Sequence, residues 1–349
     1  MGKTKKLWEI FRKNRNLVTK LKAISIRKYF DERCNTRQSE NGKMFWDTIK
    51  PFMRETRDPN CVITIKDGKN IVNDPVVVSN IFNAHFSSVA ADFGSKEDIA
   101  EDEDLYSIFK MYADHSSIKL IRENNSDVSP FTFGDTSYQH IHRLLKNMDT
   151  SKSTGYDAIP AKLLKLAADE LSPPLTALIN RSITASHFPA PLKKAEVSPL
   201  YKAKDNLERN NYRPVSILSG ISKVFERVYY DQLYDHFSKI MSNLMAAFRK
   251  KYSCEHVLIK LVEDCKAALD NKEHVGLILT DLSKAFECLP HGLLLSKLHA
   301  YGVSYKSCKL LCSYLCQRKQ RVKLGCTKSD WVTMKKRSST RFNNGTLTF

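Results

Sequence analysis

The chain has 349 residues, a formal net charge of +18 and an isoelectric point near 9.4. Its hydrophobic content of 42% and aromatic content of 10% are enough to build a core, which excludes a wholly disordered chain. The excess of Lys and Arg favours a polyanionic partner such as nucleic acid, because cations that neutralise phosphates release condensed counterions. A merely soluble basic protein is the alternative interpretation.

The nine cysteines are scattered and odd in number, which fits free thiols in a reducing compartment. The first residues contain no apolar segment of the kind that a signal peptide needs. No run approaches the ~20 apolar residues that a membrane span requires. We therefore expect an intracellular protein, in the nucleus or the cytoplasm, without membrane contact.

The first part of the chain predicts few strong elements. Residues 5–31 predict a basic amphipathic helix, for which nucleic-acid contact and a solvated helix face are both open interpretations. The segment "VITIKDGKNIVND" alternates around Asp67 and Gly68, which predicts a β-hairpin. Residues 95–128 contain the acidic stretch "KEDIAEDEDLYS" and predict a linker or surface loop.

Stronger patterns begin near residue 137. Helices are predicted over "SYQHIHRLLKNM", "CEHVLIKLVEDCKAALD" and "PHGLLLSKLHAYG", and "NYRPVSILSGISKVFERVYYDQLYDHF" predicts a strand or loop leading into a long helix. The segment "AKLLKLAADELSPPLTALINRSITASHFP" predicts two helices broken at Pro173 and Pro174. A short strand is predicted in "AEVSPLYK", and a hairpin in "KQRVKLGCTKSDWVTM".

The stretch Val275–Asp281 combines an apolar run with a terminal carboxylate. Both sets of alternate residues are apolar or small, which predicts a strand buried on both faces. A carboxylate at the end of such a strand is costly unless it is paired or binds a metal. Asp281 is therefore either a metal-binding or catalytic residue, or the cap of a helical turn that begins in "LSKAF".

Three cysteines, Cys308, Cys312 and Cys316, recur every four residues. This spacing predicts one stripe of a helix, and a buried apolar stripe is favoured over a zinc site, which needs a fourth ligand and usually has closer cysteine pairs.

Several long motifs, taken in order, resemble one family. They are "STGYDAIPAKLLK", "FPAPLKKAEVSPLYK", "NYRPVSILSGISKVFERV", "AFRKKYSCEHVLIKL", "LTDLSKAFECLPHGLLLSKLHAYG" and "SYLCQRKQRVKLG". Over about residues 137–336 the chain resembles the reverse transcriptase of non-long-terminal-repeat (LINE-type) retrotransposons of the jockey and chicken-repeat kind. Residues 1–136 resemble more weakly, through "MFWDTIKPFM" and "NIFNAHFSSVA", the connector that precedes the polymerase in such elements.

The resemblance implies an α+β fold, a right-hand polymerase fragment with mostly helical fingers and an incomplete palm sheet. It divides the chain into a basic connector over 1–136, fingers over 137–270 and a partial palm over 271–336. The implied partners are an RNA template, a DNA primer and deoxynucleoside triphosphates, with Mg²⁺ as the metal and no small-molecule cofactor.

The resemblance also implies roles for individual residues. Asp281 would be the catalytic carboxylate and a ligand of the two magnesium ions of nucleotidyl transfer. Arg213, and more weakly Lys202, would bind the incoming triphosphate. Phe286 would stack under the sugar and exclude a 2′-hydroxyl, although a core aromatic remains the alternative for this residue.

Two positions bear on nucleic-acid contact and backbone geometry. Arg249 would lie near the template or primer. The family has a glycine where Lys251 stands, which puts the local backbone geometry in doubt.

In the family that the chain resembles, an Asp-Asp hairpin supplies further carboxylates to the catalytic centre. The only acidic residues after Asp281 are Glu287 and Asp330, and neither lies in such a pair. We therefore expect a catalytically inactive, truncated reverse transcriptase region. A non-catalytic RNA- or DNA-binding module and a non-functional product of a decayed element are the alternatives. The tail, 337–349, is expected to be a glycine-rich family motif read one nucleotide out of frame, with an alternative exon as the other origin.

Overall fold

The computed structural model describes residues 2–33, 63–88, 103–125, 129–242, 244–280 and 289–334. The chain divides into two compact units, Met1–Cys61 and Val62–Phe349. In the first unit, helix α1 spans Gly2–Arg33, which confirms the helix predicted over 5–31. The rings of Trp8 and Phe11 stack on its exposed surface with centroids 5.2 Å apart.

The second unit is a mixture of helices and strands, as an α+β fold requires. Its described helices are α2 (Pro75–Ser88), α3 (Leu105–Met111), α4 (Ser116–Asn124), α5 (Tyr138–Lys146), α6 (Ala161–Leu166), α7 (Ala168–Ala185), α8 (Gly220–Phe237), α9 (Cys254–Asp270), α10 (His291–Ala300) and α11 (Tyr305–Leu315). Its described strands are β1 (Ile65–Asp67), β2 (Asn70–Val72), β3 (Lys194–Tyr201), β4 (Tyr212–Leu218), β5 (Lys319–Leu324), β6 (Thr327–Lys328) and β7 (Val332–Thr333). In the parts of the chain described, no helix has the length and hydropathy to cross a membrane.

A five-stranded mixed sheet organises the second unit, in the order β4-β3-β5-β6, with β7 also paired to β5. Strands β3 and β4 are antiparallel, from Ala195 opposite Leu218 to Tyr201 opposite Tyr212. Strands β3 and β5 are parallel, and Lys194 lies opposite Lys319. The predicted strand in "AEVSPLYK" and the predicted hairpin in "KQRVKLGCTKSDWVTM" are thus confirmed.

The inner face of the sheet packs against the β1–β2 hairpin and α2. Because side chains alternate along a strand, Val197, Tyr212 and Val322 share this face and meet Ile65 and Phe82 in one buried cluster. The Phe82 ring contacts Tyr212 edge-on, with centroids 4.9 Å apart. This cluster joins residues from both sides of the boundary predicted near residue 136.

Helix α8 lies in the larger core, where Phe225 and Tyr229 are fully buried. The Phe188 ring packs edge-on against both Phe225 and Tyr229, at centroid distances of 5.8 and 6.1 Å. The cysteine stripe belongs to the same core: Cys308 and Cys312 lie on α11 and are buried, as a helix stripe predicts.

The prediction of a buried strand over Val275–Asp281 is wrong for its described part. Residues 275–280 form no strand, and the side chains of Ile278 and Leu279 are 88% and 83% exposed. A strand needs a hydrogen-bonded neighbour, and among the described strands none pairs with this segment. Apolar content alone therefore did not determine the local structure.

The prediction of a linker or surface loop over residues 95–128 is wrong for residues 105–124, which form α3 and α4. Leu105, Ile108 and Phe109 of α3 join the larger core. The acidic residue Asp104, which suggested a loop, caps α3 by accepting a hydrogen bond from the Tyr106 N–H at 3.2 Å.

The predicted break at Pro173 and Pro174 is also misplaced. The two helices separate at Ala167, and α7 continues through both prolines. The prolines remove the donors that would bond the carbonyls of Asp169 and Glu170. Both of those residues are exposed, so water can satisfy their carbonyls.

Candidate functional site

The β3–β4 hairpin brings together two of the residues predicted to bind substrate. Arg213 lies on β4 opposite Leu200, and both side chains are exposed. Lys202 directly follows β3, and its backbone N–H donates to the Asn211 carbonyl at 2.8 Å. Leu200 and Lys202 are two residues apart, so Lys202 projects to the same face as Arg213. The two residues are therefore diagonal neighbours on this face, with backbone positions about 7–8 Å apart.

Hydrogen bonds within the hairpin and one from β1 hold the tip of this hairpin. The Tyr212 hydroxyl donates to the Asn206 carbonyl at 2.7 Å, and the Asn211 side-chain amide donates to the Asp205 carbonyl at 2.8 Å. The Lys66 N–H of β1 donates to the Leu207 carbonyl at 2.8 Å. These bonds fix the backbone on either side of Arg213 and Lys202, so both cations extend from an ordered support.

A buried carboxylate lies on the same face of the sheet. Glu196 of β3 is 1% exposed, and Arg321 of β5 donates to its Oε1 from Nε at 3.0 Å and from Nη2 at 2.5 Å. Lys328 Nζ lies 3.2 Å from Oε1, and Lys323 Nζ lies 3.6 Å from Oε2. Burial alone would raise the pKa of the Glu196 carboxyl, but the hydrogen bonds and charges of these cations hold the pKa below its usual value.

We did not predict from the sequence that these cations would cluster, although their spacing along the chain indicated it. In "KQRVKL" the cations stand at alternate positions, Lys319, Arg321 and Lys323, which is the period of a strand with one basic face. Glu196 gave no comparable signal, because its partners are more than a hundred residues away.

Arg249 contacts its own loop. Its Nη1 donates to the Ser242 carbonyl at 3.0 Å, and its guanidinium lies over the Tyr252 ring at 4.5 Å. Two residues later, Lys251 has a φ of 69°, in the left-handed region. Glycine adopts this region without strain, which accounts for the glycine that the resemblance expects at this position.

The predicted metal ligand and sugar-stacking residue, Asp281 and Phe286, lie outside the described residues. Within the ranges that the structure describes, no group of three or more His, Cys, Asp or Glu side chains could hold a metal ion. The described residues by themselves therefore do not fit a magnesium site.

A family model described as "Reverse transcriptase (RNA-dependent DNA polymerase)" matches residues 200–341. The chain is 27% identical over 162 residues to the probable RNA-directed DNA polymerase from transposon BS of Drosophila melanogaster. The matched residues are 46% of this chain and 18% of that relative. It is 24% identical, with the same coverage, to the RNA-directed DNA polymerase from mobile element jockey of that organism. Identity is 28% over 154 residues, 43% of this chain and 17% of the relative, for the probable polymerase from transposon X-element.

The family match covers β4, the α8 helix and the β5 strand, together with the last two residues of β3. The chain spans less than a fifth of the length of the relatives that it matches. Arg213 and Lys202 both fall within the matched range. Residues 200–341 are therefore similar to reverse transcriptases, and the chain resembles in part the RNA-directed DNA polymerases of LINE-type mobile elements such as jockey.

Proposed function

We propose that this chain supplies the nucleotide-binding and nucleic-acid-binding part of an RNA-directed DNA polymerase, and that the β3–β4 hairpin contacts the triphosphate of the incoming deoxynucleotide. The observation that supports this most directly is the pair of exposed cations, Arg213 and Lys202, on one face of an ordered hairpin inside the reverse transcriptase match.

The two cations suit a triphosphate in different ways. The planar guanidinium of Arg213 can donate to two phosphate oxygens at once, whereas the Lys202 ammonium acts as a compact point charge. Held on one face of the hairpin, they would bind the triphosphate and orient the nucleotide without rearrangement of the backbone. This positioning is the step that the described residues can perform.

The wider assignment follows the resemblance. Residues 137–270 would form the fingers and residues 271–336 part of the palm. Arg249 would contact the template or primer, and Phe286 would lie under the nucleotide sugar. An RNA template, a DNA primer and deoxynucleoside triphosphates are the corresponding partners.

Asp281 is the proposed magnesium ligand, and bound Mg²⁺ would neutralise the triphosphate there. Mg²⁺ favours octahedral oxygen ligation, which a single carboxylate supplies poorly. The 349 residues contain no adjacent pair of aspartates. We therefore propose that these residues bind nucleotide and nucleic acid but do not extend a primer.

Nucleotide binding tests the role of the hairpin. A fluorescent deoxynucleoside triphosphate is titrated with the full chain and with Arg213→Ala. The substitution removes charge-assisted hydrogen bonds, each worth about 1.5–3 kcal/mol, so we expect roughly tenfold to hundredfold weaker binding. Arg181→Ala, which removes an exposed arginine on α7, is the control. Equal affinity of the Arg213→Ala and unsubstituted chains contradicts the proposal.

A primer-extension assay with Mg²⁺ tests the absence of polymerisation. We expect no incorporation. Templated incorporation of deoxynucleotides that Asp281→Ala abolishes would show that the chain is an active polymerase. A chain that binds RNA in a salt-dependent way but shows no specific nucleotide binding would instead support the alternative of a non-catalytic nucleic-acid-binding module.

A further inference from the structure

The cysteine stripe of α11 contains two sulfur atoms in direct contact. Cys308, Cys312 and Cys316 recur every four residues, so their side chains follow one line along the helix. The Sγ atoms of Cys312 and Cys316 lie 3.8 Å apart, within the range of a hydrogen bond between sulfurs. Both residues are buried, with 2% and 6% of their surface exposed. The proposed function uses neither of these thiols.

The third cysteine of the stripe differs from this pair. The Cys308 thiol donates to the Val303 carbonyl, with Sγ 3.6 Å from the oxygen. Burial raises the pKa of the Cys308 thiol to about 12, so this thiol stays protonated at neutral pH. A protonated thiol is a poor nucleophile. Cys308 is therefore an internal reference, a buried cysteine of the same helix that we expect to be unreactive.

Cys316 lies where α11 ends and the chain turns toward β5. It is the C-cap residue of α11, with φ −80° and ψ 157°, and its N–H donates to the Cys312 carbonyl at 2.9 Å. Gln317 follows with a φ of 54°, and β5 begins at Lys319. The end of a helix opens more readily than its middle. Of the two thiols in contact, Cys316 is therefore the one that a small solute reaches first.

The backbone at this helix end allows a bond between the two sulfurs. Residues four apart on a helix have Cβ atoms about 5–6 Å apart. A disulfide joins Cβ atoms about 3.5–4.5 Å apart, so the two residues must approach each other. Because Cys316 already has extended backbone angles, it can move toward Cys312 without unwinding the rest of α11. A disulfide formed in this way is strained, and strained disulfides are the ones that are readily reduced and used in regulation.

We propose that Cys312 and Cys316 are a reversible redox pair, which hydrogen peroxide converts from two thiols to one disulfide. The Cys316 sulfur attacks a peroxide oxygen, the O–O bond breaks, and Cys316 becomes a sulfenic acid while the other oxygen leaves as water. The Cys312 sulfur then attacks the Cys316 sulfur, the S–O bond breaks, and a second water leaves. The thiols lose two electrons and two protons, and the peroxide gains them. A dithiol such as dithiothreitol reverses the reaction by thiol–disulfide exchange.

Peptide mapping by mass spectrometry tests the redox pair without any substitution. Trypsin cuts after lysine and arginine, so residues 310–318 form one peptide that contains Cys312, Cys316 and no other cysteine. The full chain is treated with peroxide, denatured in an alkylating reagent and digested. We expect this peptide to lose two hydrogens and to escape alkylation, and both cysteines to be alkylated again after dithiothreitol. The separate peptide that carries Cys308 should be alkylated throughout.

Two exposed cysteines, Cys254 and Cys326, set the dose of peroxide. If both are oxidised while Cys312 and Cys316 are still alkylated, the proposal is wrong. It is also wrong if Cys316 accumulates as a sulfenic or sulfinic acid without a bond to Cys312. Oxidation of Cys308 to the same extent as the pair would show that the reaction follows unfolding of the core, which likewise contradicts the proposal.

A matched pair of variants connects the disulfide to the junction between α11 and β5. The bond draws the start of β5 toward α11, so we expect peroxide to lower the melting temperature of the unsubstituted chain by a few degrees and dithiothreitol to restore it. Each variant is compared with its own reduced form. Cys316→Ala should abolish the shift caused by peroxide, and Cys308→Ala should retain it. Equal shifts in the two variants would show that oxidation elsewhere is responsible and would overturn the proposal.

Discussion

Helices α8 and α9 are similar in length and apolar content, yet one is packed and the other is not. In α8, Phe225, Val228 and Tyr229 have no exposed surface. In α9 no residue is buried, and Leu258 and Ile259 are 58% and 64% exposed. The 3.6-residue pattern that predicts an apolar stripe is present in both helices.

An apolar stripe therefore predicts a helix but does not predict what the helix packs against. Helix α8 meets Phe188, Phe133 and Tyr314 from three other parts of the chain. The segment that follows α9, residues 275–280, is also exposed and unpaired among the described strands. Four measurements test the contrast between α8 and α9.

The largest expected effect comes from shortening a packed side chain. Phe225→Ala removes a fully buried ring from α8 and should lower the free energy of unfolding by about 3–5 kcal/mol, through lost burial and the cavity that remains. Leu258→Ala on α9 should change it by less than about 0.5 kcal/mol. Urea unfolding followed by circular dichroism measures both. Comparable losses would mean that α9 is packed in solution.

The next effect is a pH dependence that originates in α8. Burial raises the pKa of the Glu226 carboxyl to about 7, even though the Tyr314 hydroxyl donates to Oε1 at 2.9 Å and Arg318 and Lys223 are nearby. The folded state then holds a proton that the unfolded state releases. Stability should therefore fall as pH rises from about 4.5 to 7, by on the order of 3 kcal/mol.

Glu226→Gln should abolish this fall, since the amide cannot titrate and its oxygen can still accept from Tyr314. Glu263→Gln, which alters an exposed carboxylate of α9, should retain it. Thermal unfolding at several pH values distinguishes the two. A profile for Glu226→Gln that still falls over this range would show that another group is responsible.

A smaller effect concerns two glycines beside these helices. A Cβ on Gly155 would lie 2.6 Å from Cα and N of Ser219, the residue that caps α8. Gly155→Ala must displace backbone and should cost about 1–3 kcal/mol. A Cβ on Gly276, beyond α9, meets nothing within 4 Å, so Gly276→Ala should change stability by less than about 1 kcal/mol. Denaturant unfolding measures the stability of both variants. Equal losses of stability in Gly155→Ala and Gly276→Ala would contradict this prediction.

The smallest effect on stability is expected on the exposed face of α9. Leu258→Lys/Val262→Lys should leave the melting temperature nearly unchanged but reduce binding of a hydrophobic dye, because it interrupts an exposed apolar surface. Phe225→Lys in α8 is the opposing control and should unfold the protein. A large drop in melting temperature for the α9 variant would show that this face has a partner within the chain.

The sequence predicted the elements whose signals are local. The turn at Asp67 and Gly68 and the short strand in "AEVSPLYK" each depend on residues a few positions apart, and the corresponding elements formed. The pairing of β3 with β4, which presents Arg213 and Lys202, was not predicted, because "NYRPVSIL" allowed either a strand or a loop.

Elements that depend on distant partners were not predictable. Residues 275–280 have the composition of a buried strand, but pairing is decided by a neighbour elsewhere in the chain. Glu226 stands on the apolar stripe of α8 and is stabilised by Tyr314, 88 residues later. The positive charges of Lys319, Arg321 and Lys323 on β5 are likewise balanced in part by Glu196, through its contact with Arg321, which no local sequence pattern predicts.

The two neighbours of β3 also become available at very different times during synthesis. The antiparallel neighbour, β4, begins with Tyr212, which lies opposite Tyr201. The parallel neighbour, β5, carries Arg321, which is 125 residues beyond its contact Glu196. At about 5–20 residues per second, a ribosome needs roughly 6–25 s to make that intervening chain. From the completion of β4 until β5 is made, which is most of this interval, the β3–β4 hairpin has an open edge where β5 will later pair. Such an edge is a template for strands of other chains until β5 covers it.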